Sequence, residues 1–76
     1  MKDLLEFLTK ALVEDPEAVQ VEELEEDGDL VFEITVADED LGRVIGKGGR
    51  VANAIRSVAK AAAVKIDRRV IVDILD

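Results

Sequence analysis

The sequence predicts an α+β fold in the order α-β-β-α-α-β, a three-stranded sheet with helices packed on one face. Three observations predict it. Apolar residues recur with a helical period in two stretches, Met1 to Leu12 and Val51 to Ile66. The period falls to two at Val19 to Glu22, at Leu30 to Val36 and again at Arg68 to Leu75. A glycine-rich run, Gly46-Lys47-Gly48-Gly49, separates a short helical turn from the longer helix that follows it.

In the first stretch, Met1, Leu4, Leu5, Leu8, Ala11 and Leu12 share one helical face, with Lys2, Asp3, Glu6 and Lys10 on the others. Pro16 disfavours a helical conformation at Asp15, so the helix should stop after about three turns. Two strands follow, joined at Asp27-Gly28, a pair that tolerates the positive φ angles of a type I′ turn. If Glu26 opposes Asp29, then Val21 opposes Ile34 and Val19 opposes Val36 on one face, together with Phe32 and Leu30. Phe32 and Phe7 are expected to be packing residues. The same register sets Glu22 against Glu33 on the outer face, a like-charge pair that Arg68 or Arg69 is expected to relieve.

Asp38-Glu39-Asp40 supplies side-chain acceptors to cap the helix start, and negative charge, where the short helical turn Leu41 to Ile45 begins. Beyond the glycines, Val51, Ala52, Ile55, Ala59, Ala62, Ala63 and Ile66 mark a buried helical stripe whose alanines allow close approach to a sheet. The last strand is rich in β-branched residues. Ile71 and Leu75 on its outer face, with Leu24 and Val31 on the hairpin, predict an exposed apolar patch of the kind that marks contact with another chain.

Several function classes are excluded by composition. A chain of 76 residues reads as one domain, residues 1–76, and has no length for a second. At 49% hydrophobic and 37% charged residues it suits a globular domain and not a disordered one. It has no cysteine and no histidine, which removes disulfides, thiol chemistry, zinc fingers and imidazole bases. Catalysis is poorly provided for, with a single serine, Ser57, inside a helix and acids that lie far from the glycine run. No metal or cofactor is called for. The longest apolar run, Ala61 to Val64, is far short of the roughly 20 residues of a bilayer span. With no charged leader and apolar stretch at the N-terminus, the chain is expected to be cytoplasmic and to have no membrane partner.

A net charge of −8 by itself argues against a nucleic-acid partner, and its distribution reverses that inference. Residues 1–40 carry 15 acids and two bases, whereas residues 41–76 carry eight bases and three acids. Nothing between Leu41 and Ile66 is acidic, and that stretch holds Arg43, Lys47, Arg50, Arg56, Lys60 and Lys65. Anions are therefore repelled from most of the molecule and attracted to one part of it.

That part contains Val44-Ile45-Gly46-Lys47-Gly48-Gly49-Arg50. Three glycines let the backbone turn sharply and leave its amides open, and the next helix aims the positive end of its dipole at the same place. Lys47 and Arg50 add full charges. A nucleotide P-loop is excluded, because Gly48 and not Ser or Thr follows Lys47 and a helix precedes the run. A dinucleotide fingerprint is excluded because Val51 stands where it needs glycine.

Ile45-Gly46-Lys47-Gly48-Gly49-Arg50 resembles the Ile-Gly-x-x-Gly loop of KH domains, which clamps about four nucleotides of single-stranded nucleic acid. The element order is similar to the type II KH arrangement, and the likeness spans the chain as a single KH domain. Leu41 to Lys47 and Val51 to Arg56 are similar to the small stand-alone bacterial KH proteins of the KhpA type. The resemblance implies cytoplasmic binding of single-stranded RNA, self-association as a homodimer, and a mixed pair with a larger Jag-type KH protein. It further implies a role as a post-transcriptional regulator or RNA chaperone. Carried onto this sequence, it makes Gly46, Lys47, Gly48 and Gly49 the backbone clamp and Ile45 part of the groove floor. Arg43, Lys47, Arg50 and Arg56 would meet phosphates, and Ile34 to Val36 would form the far wall. Gly48 departs from the bulkier polar residue expected there, which should loosen the loop.

With only Phe7 and Phe32, the chain has no aromatic platform for stacking bases, so recognition falls to van der Waals contact and hydrogen bonds. Two rivals stay open. A protein-interaction or dimerisation module would show a disabled clamp, whereas these glycines and Lys47 are intact. Single-stranded DNA would fit a groove that does not read the 2′-hydroxyl.

Overall fold

The computed structural model describes residues 1–75. Helix α1 (Lys2–Leu12) leads through a short turn at Pro16–Ala18 into strands β1 (Gln20–Glu26) and β2 (Asp29–Thr35). Helices α2 (Asp38–Ile45) and α3 (Arg50–Ile66) follow, separated by a turn at Lys47–Gly49, and β3 (Val70–Ile74) ends the order. The sheet order is β1-β2-β3, with β1 antiparallel and β3 parallel to the central β2. This is the α-β-β-α-α-β arrangement expected, a KH-type fold.

The hairpin forms in the expected register, with Glu26 opposite Asp29 and Val21 opposite Ile34. Asp27 and Gly28 both take positive φ, 50° and 86°, as a type I′ turn requires. On the covered face Phe32 and Ile34 are fully buried against Leu5 of α1 and Ala52, Ile55 and Ala59 of α3, with Val44 of α2 and Val72 of β3 completing the core.

Three helical details depart from expectation. In α1 the buried positions are Leu5 and Thr9, while Leu4 and Ala11 are exposed. Thr9 is accommodated because its hydroxyl donates to the Leu5 carbonyl at 2.7 Å, within the helix. Phe7 is not a packing residue: it is 73% exposed, two positions and about 200° round the helix from Leu5. Ile66, expected in the buried stripe of α3, is exposed at the helix end, where Asp67 turns the chain with φ 53°.

Helix α2 is longer than the expected turn and starts at Asp38, with Ala37 at its N-cap and no side-chain cap. Asp40 has a different task. It is buried, and its two carboxylate oxygens accept from the backbone N–H groups of Glu14 and Asp15 at 3.1 and 3.0 Å. This ties the segment after α1 to the first turn of α2.

The outer face of the sheet carries cross-strand rows. Leu24, Val31 and Ile71 form one, with Val31 buried between its two neighbours. The next row is Glu22, Glu33 and Asp73, three acids in register. Leu75 lies beyond that acidic row and is not continuous with the apolar one. Neither Arg68 nor Arg69 relieves Glu22 and Glu33. Arg68 donates to Glu25 at 3.2 Å and to the Gly28 carbonyl at 2.8 Å, and Arg69 approaches Asp29 at 3.9 Å. The parallel register explains this: Val70 pairs with Leu30, so both arginines lie just before β3, beside the hairpin turn, while Glu33 pairs with Asp73 further along. Among the described residues no helix is long and apolar enough to cross a membrane.

Because Glu33 faces like charge on both sides, Glu33→Lys should stabilise the protein by roughly 0.5–1 kcal/mol. Urea unfolding checks this, and a loss of stability would show that the acidic row is neutralised in some other way.

Candidate nucleic-acid interface

The glycine loop is built by two separate constraints. At Gly46 the constraint is space, since a Cβ there would collide with the Gly42 carbonyl oxygen one turn earlier in α2. At the next three positions it is conformation: Lys47, Gly48 and Gly49 all take positive φ, at 52°, 73° and 70°. Glycine at two of these three removes most of the steric cost of a left-handed turn. Gly48 is therefore suited to its place, with open space around it. The turn is closed by the Gly49 N–H donating to the Gly46 carbonyl at 3.0 Å, and the Asn53 amide reaches the Gly48 carbonyl at 3.4 Å.

Helix α3 starts directly on this turn, with Gly49 at its N-cap, no side-chain cap and no acid in its first turn. Among the described residues no side chain compensates its leading N–H groups, which makes them a ready place for an anion. Gly42, Arg43, Gly46, Lys47, Arg50 and Val51 line a cleft of about 630 Å³ here. Lys47 and Arg50 are exposed and have no acidic partner among the described residues. Arg43 donates to Glu14 at 2.8 Å, an exposed pair of the kind worth at most about 1 kcal/mol. Ile45 is 52% exposed at the end of α2 and available for contact.

Arg56 stands apart from that group. It lines a separate cleft of about 300 Å³ between α3 and β3, with Ala59, Lys60, Arg69, Val70 and Val72 among its neighbours. The expected far wall at Ile34 to Val36 is not available, because β2 is the central strand, bonded on both edges, and Ile34 and Val36 are buried. The open sheet edge beside α3 is that of β3. Leu30 N–H donates to the Arg69 carbonyl and Leu75 N–H to the Ile34 carbonyl. In a parallel ladder of this phase, Val70, Val72 and Ile74 turn their N–H and C=O groups to the open side. The Arg56 guanidinium lies there, its Nε 3.5 Å from the Val72 carbonyl.

The sequence pattern placed Lys60 in the acid-free basic stretch without assigning it to the loop, and it did not single out the edge of β3. Periodicity marks Val70, Val72 and Ile74 as one face of a strand, and only the strand order shows that their backbone is unpaired. Among the described residues no group of three or more acids, such as the Glu22–Glu33–Asp73 row, converges as metal ligands.

A glycine loop of this geometry between α2 and α3, beside a sheet edge, defines a KH domain. The family model described as KhpA/KhpB, KH domain, matches residues 2–74, and the chain belongs to that family. It is 53% identical over 75 residues to a protein of Clostridium acetobutylicum named RNA-binding protein KhpA, covering 99% of this chain and all of that one. A protein of the same name from Clostridium perfringens is 48% identical with the same coverage. Another from Aquifex aeolicus is 41% identical over 76 residues, all of this chain and 96% of the relative. No solved structure matches the chain.

The two constraints in the loop are separable by substitution. Gly46→Ala should destabilise the protein by about 2–3 kcal/mol through overpacking against α2. Gly48→Asn, at a left-handed position that asparagine tolerates, should cost less than about 1 kcal/mol. Thermal unfolding of both variants checks the order, and equal losses would overturn it.

Proposed function

We propose that the chain, acting as one KH domain, binds short single-stranded RNA through Gly46, Lys47, Gly48 and Gly49. The observation that carries this reading is the run of three positive-φ residues ending on the uncapped start of α3, with Lys47 and Arg50 beside it and without an acidic partner among the described residues. Phosphates approach the loop backbone, which has no side chain at three of four positions to hold them off. Arg50 and Lys47 supply charge, and Arg43 joins by exchanging Glu14 for phosphate. Bases lie across exposed Ile45 toward the α3–β3 cleft, where Val70 turns a backbone donor and acceptor outward and Val72 a donor, its carbonyl being approached by Arg56. Arg56 serves that cleft and not the loop. The relatives named RNA-binding protein KhpA support the choice of ligand. Single-stranded DNA is the alternative, and an RNA-selective groove should be competed poorly by DNA of the same base sequence. Such a protein acts as a post-transcriptional regulator or RNA chaperone and carries out no catalysis.

The loop is tested by Lys47→Asp combined with Gly48→Asp. Both positions are exposed, so the fold should lose no more than about 1 kcal/mol. RNA binding, read by fluorescence anisotropy, should weaken at least about tenfold, since carboxylates then stand where phosphate must approach the backbone. The control, Lys2→Glu with Lys10→Glu, changes net charge by more and lies on α1. Equal weakening in the two variants would reduce the glycine run to a corner between helices.

Self-association belongs to the same reading, supported by the apolar row Leu24, Val31 and Ile71 on the outer face of the sheet. A mixed pair with a larger Jag-type KH protein is the second assembly, and the family description joins KhpA with KhpB. Because an acidic row borders the apolar one, salt should strengthen the homodimer by screening repulsion. Sedimentation equilibrium at tens of micromolar checks this, and a monomer at both low and high salt would overturn the homodimer.

A further inference from the structure

The basic surface does not end at Arg56. Past it, the α3–β3 cleft opens into a second hollow of about 550 Å³, near the C-terminal end of α3. Lys60, Ala63, Val64, Arg68, Arg69 and Val70 line it. Lys60, Arg69 and Val70 line both spaces, so the two form one trough along the free edge of β3.

Two features of this hollow have no structural employment. The first is charge. Lys60 has no acidic partner among the described residues, and Arg69, with its side chain 75% exposed, is held only by a long 3.9 Å approach to Asp29. Arg68 is committed to Glu25 and the Gly28 carbonyl and forms part of the wall. Asp67 also lines the hollow, leaving the cations in excess. The second is Val64, which is 78% exposed beside these cations while the neighbouring Ala63 is buried in the core. A cationic rim with an aliphatic side chain suits a chain of phosphates joined by sugars and bases.

We propose that this hollow is a second subsite for the same single-stranded RNA, so that the binding track extends well beyond the glycine clamp. The proposal rests on the clamp reading above. From Arg50 to Val64 the helix rises about 21 Å, at 1.5 Å per residue. A stacked strand advances about 3.4 Å per nucleotide, so the stretch corresponds to about six nucleotides, where the clamp alone takes about four. Lys60 and Arg69 meet phosphates in this outer part, and Val64 lies under a sugar or base.

The test compares uridine and adenosine oligomers of four and eight nucleotides, by anisotropy under conditions giving one RNA per chain. A four-nucleotide site finds five registers on an eight-mer, so statistics alone give a gain of about fivefold. The wild type should instead bind the eight-mer at least about 50-fold more tightly than the four-mer, with a salt slope steeper by about 1.4 for two further phosphate contacts. Val64→Glu, at a residue that lines only the outer hollow, should leave four-mer binding within about twofold, and both it and Lys60→Ala with Arg69→Ala should cut the ratio of eight-mer to four-mer affinity to the statistical factor. Lys2→Ala with Lys10→Ala removes the same charge elsewhere and should leave the gain intact. A wild-type gain no greater than the statistical one, or a full gain in the Lys60/Arg69 variant, overturns the second subsite while leaving the clamp. An acidic peptide that is displaced from the trough by neither RNA also overturns it. Failure of the wild type to bind either length overturns the clamp reading and the subsite together.

Discussion

Strand β2 is hydrogen-bonded on both sides, and the placement of the functional surfaces follows from that. Phe32 and Ile34, fully buried on one face of β2, anchor the helices there. The parallel ladder on its far side sets β3 at the sheet edge, next to α3. One ladder therefore produces a covered face, an uncovered face and a free edge, and each has its own chemistry. A parallel neighbour needs a long crossover, and the crossover here is the pair of helices that carries the glycine loop.

Charge follows the same division. The hairpin and the outer sheet face hold the acids, including the Glu22–Glu33–Asp73 row, while the loop, the exposed side of α3 and the start of β3 hold the bases. A molecule of net charge −8 thus presents a cationic strip whose residues are mostly free of internal ion pairs. Where bases and acids do meet, at Arg43 with Glu14 and at Arg68 with Glu25, the pairs are exposed and contribute little to stability. Their exposure leaves Arg43 free to change partners. The acidic remainder keeps phosphates away from every other face.

The loop is held from behind by contacts that leave its front clear. Asp40 fixes the first turn of α2 by accepting two consecutive backbone N–H groups, and Gly46 lets the chain pass close to the Gly42 carbonyl at the other end of the same helix. Beyond this point the backbone is left-handed for three residues and no side chain caps α3. Strain and unmet hydrogen-bonding capacity thus collect in one short segment, next to the basic strip.

The element order, the hairpin register and the glycine loop were all legible in the sequence, because each depends on interactions between residues close in the chain. Asp27-Gly28 dictates a turn, the turn dictates the pairing of Val21 with Ile34, and three glycines around a lysine announce backbone that must bend. Phe7 was expected to pack and is exposed, and the buried Thr9 went unremarked, since hydrophobicity does not report which side of a helix finds a partner and a hydroxyl can satisfy itself on its own backbone. The task of Asp40, the partners of Arg68 and Arg69, and the open backbone edge of β3 depend on residues more than 15 positions apart. Those were decided only by the tertiary structure, because the strand order determines which backbone edge is spent on a neighbour and which stays open, and no local pattern records that choice.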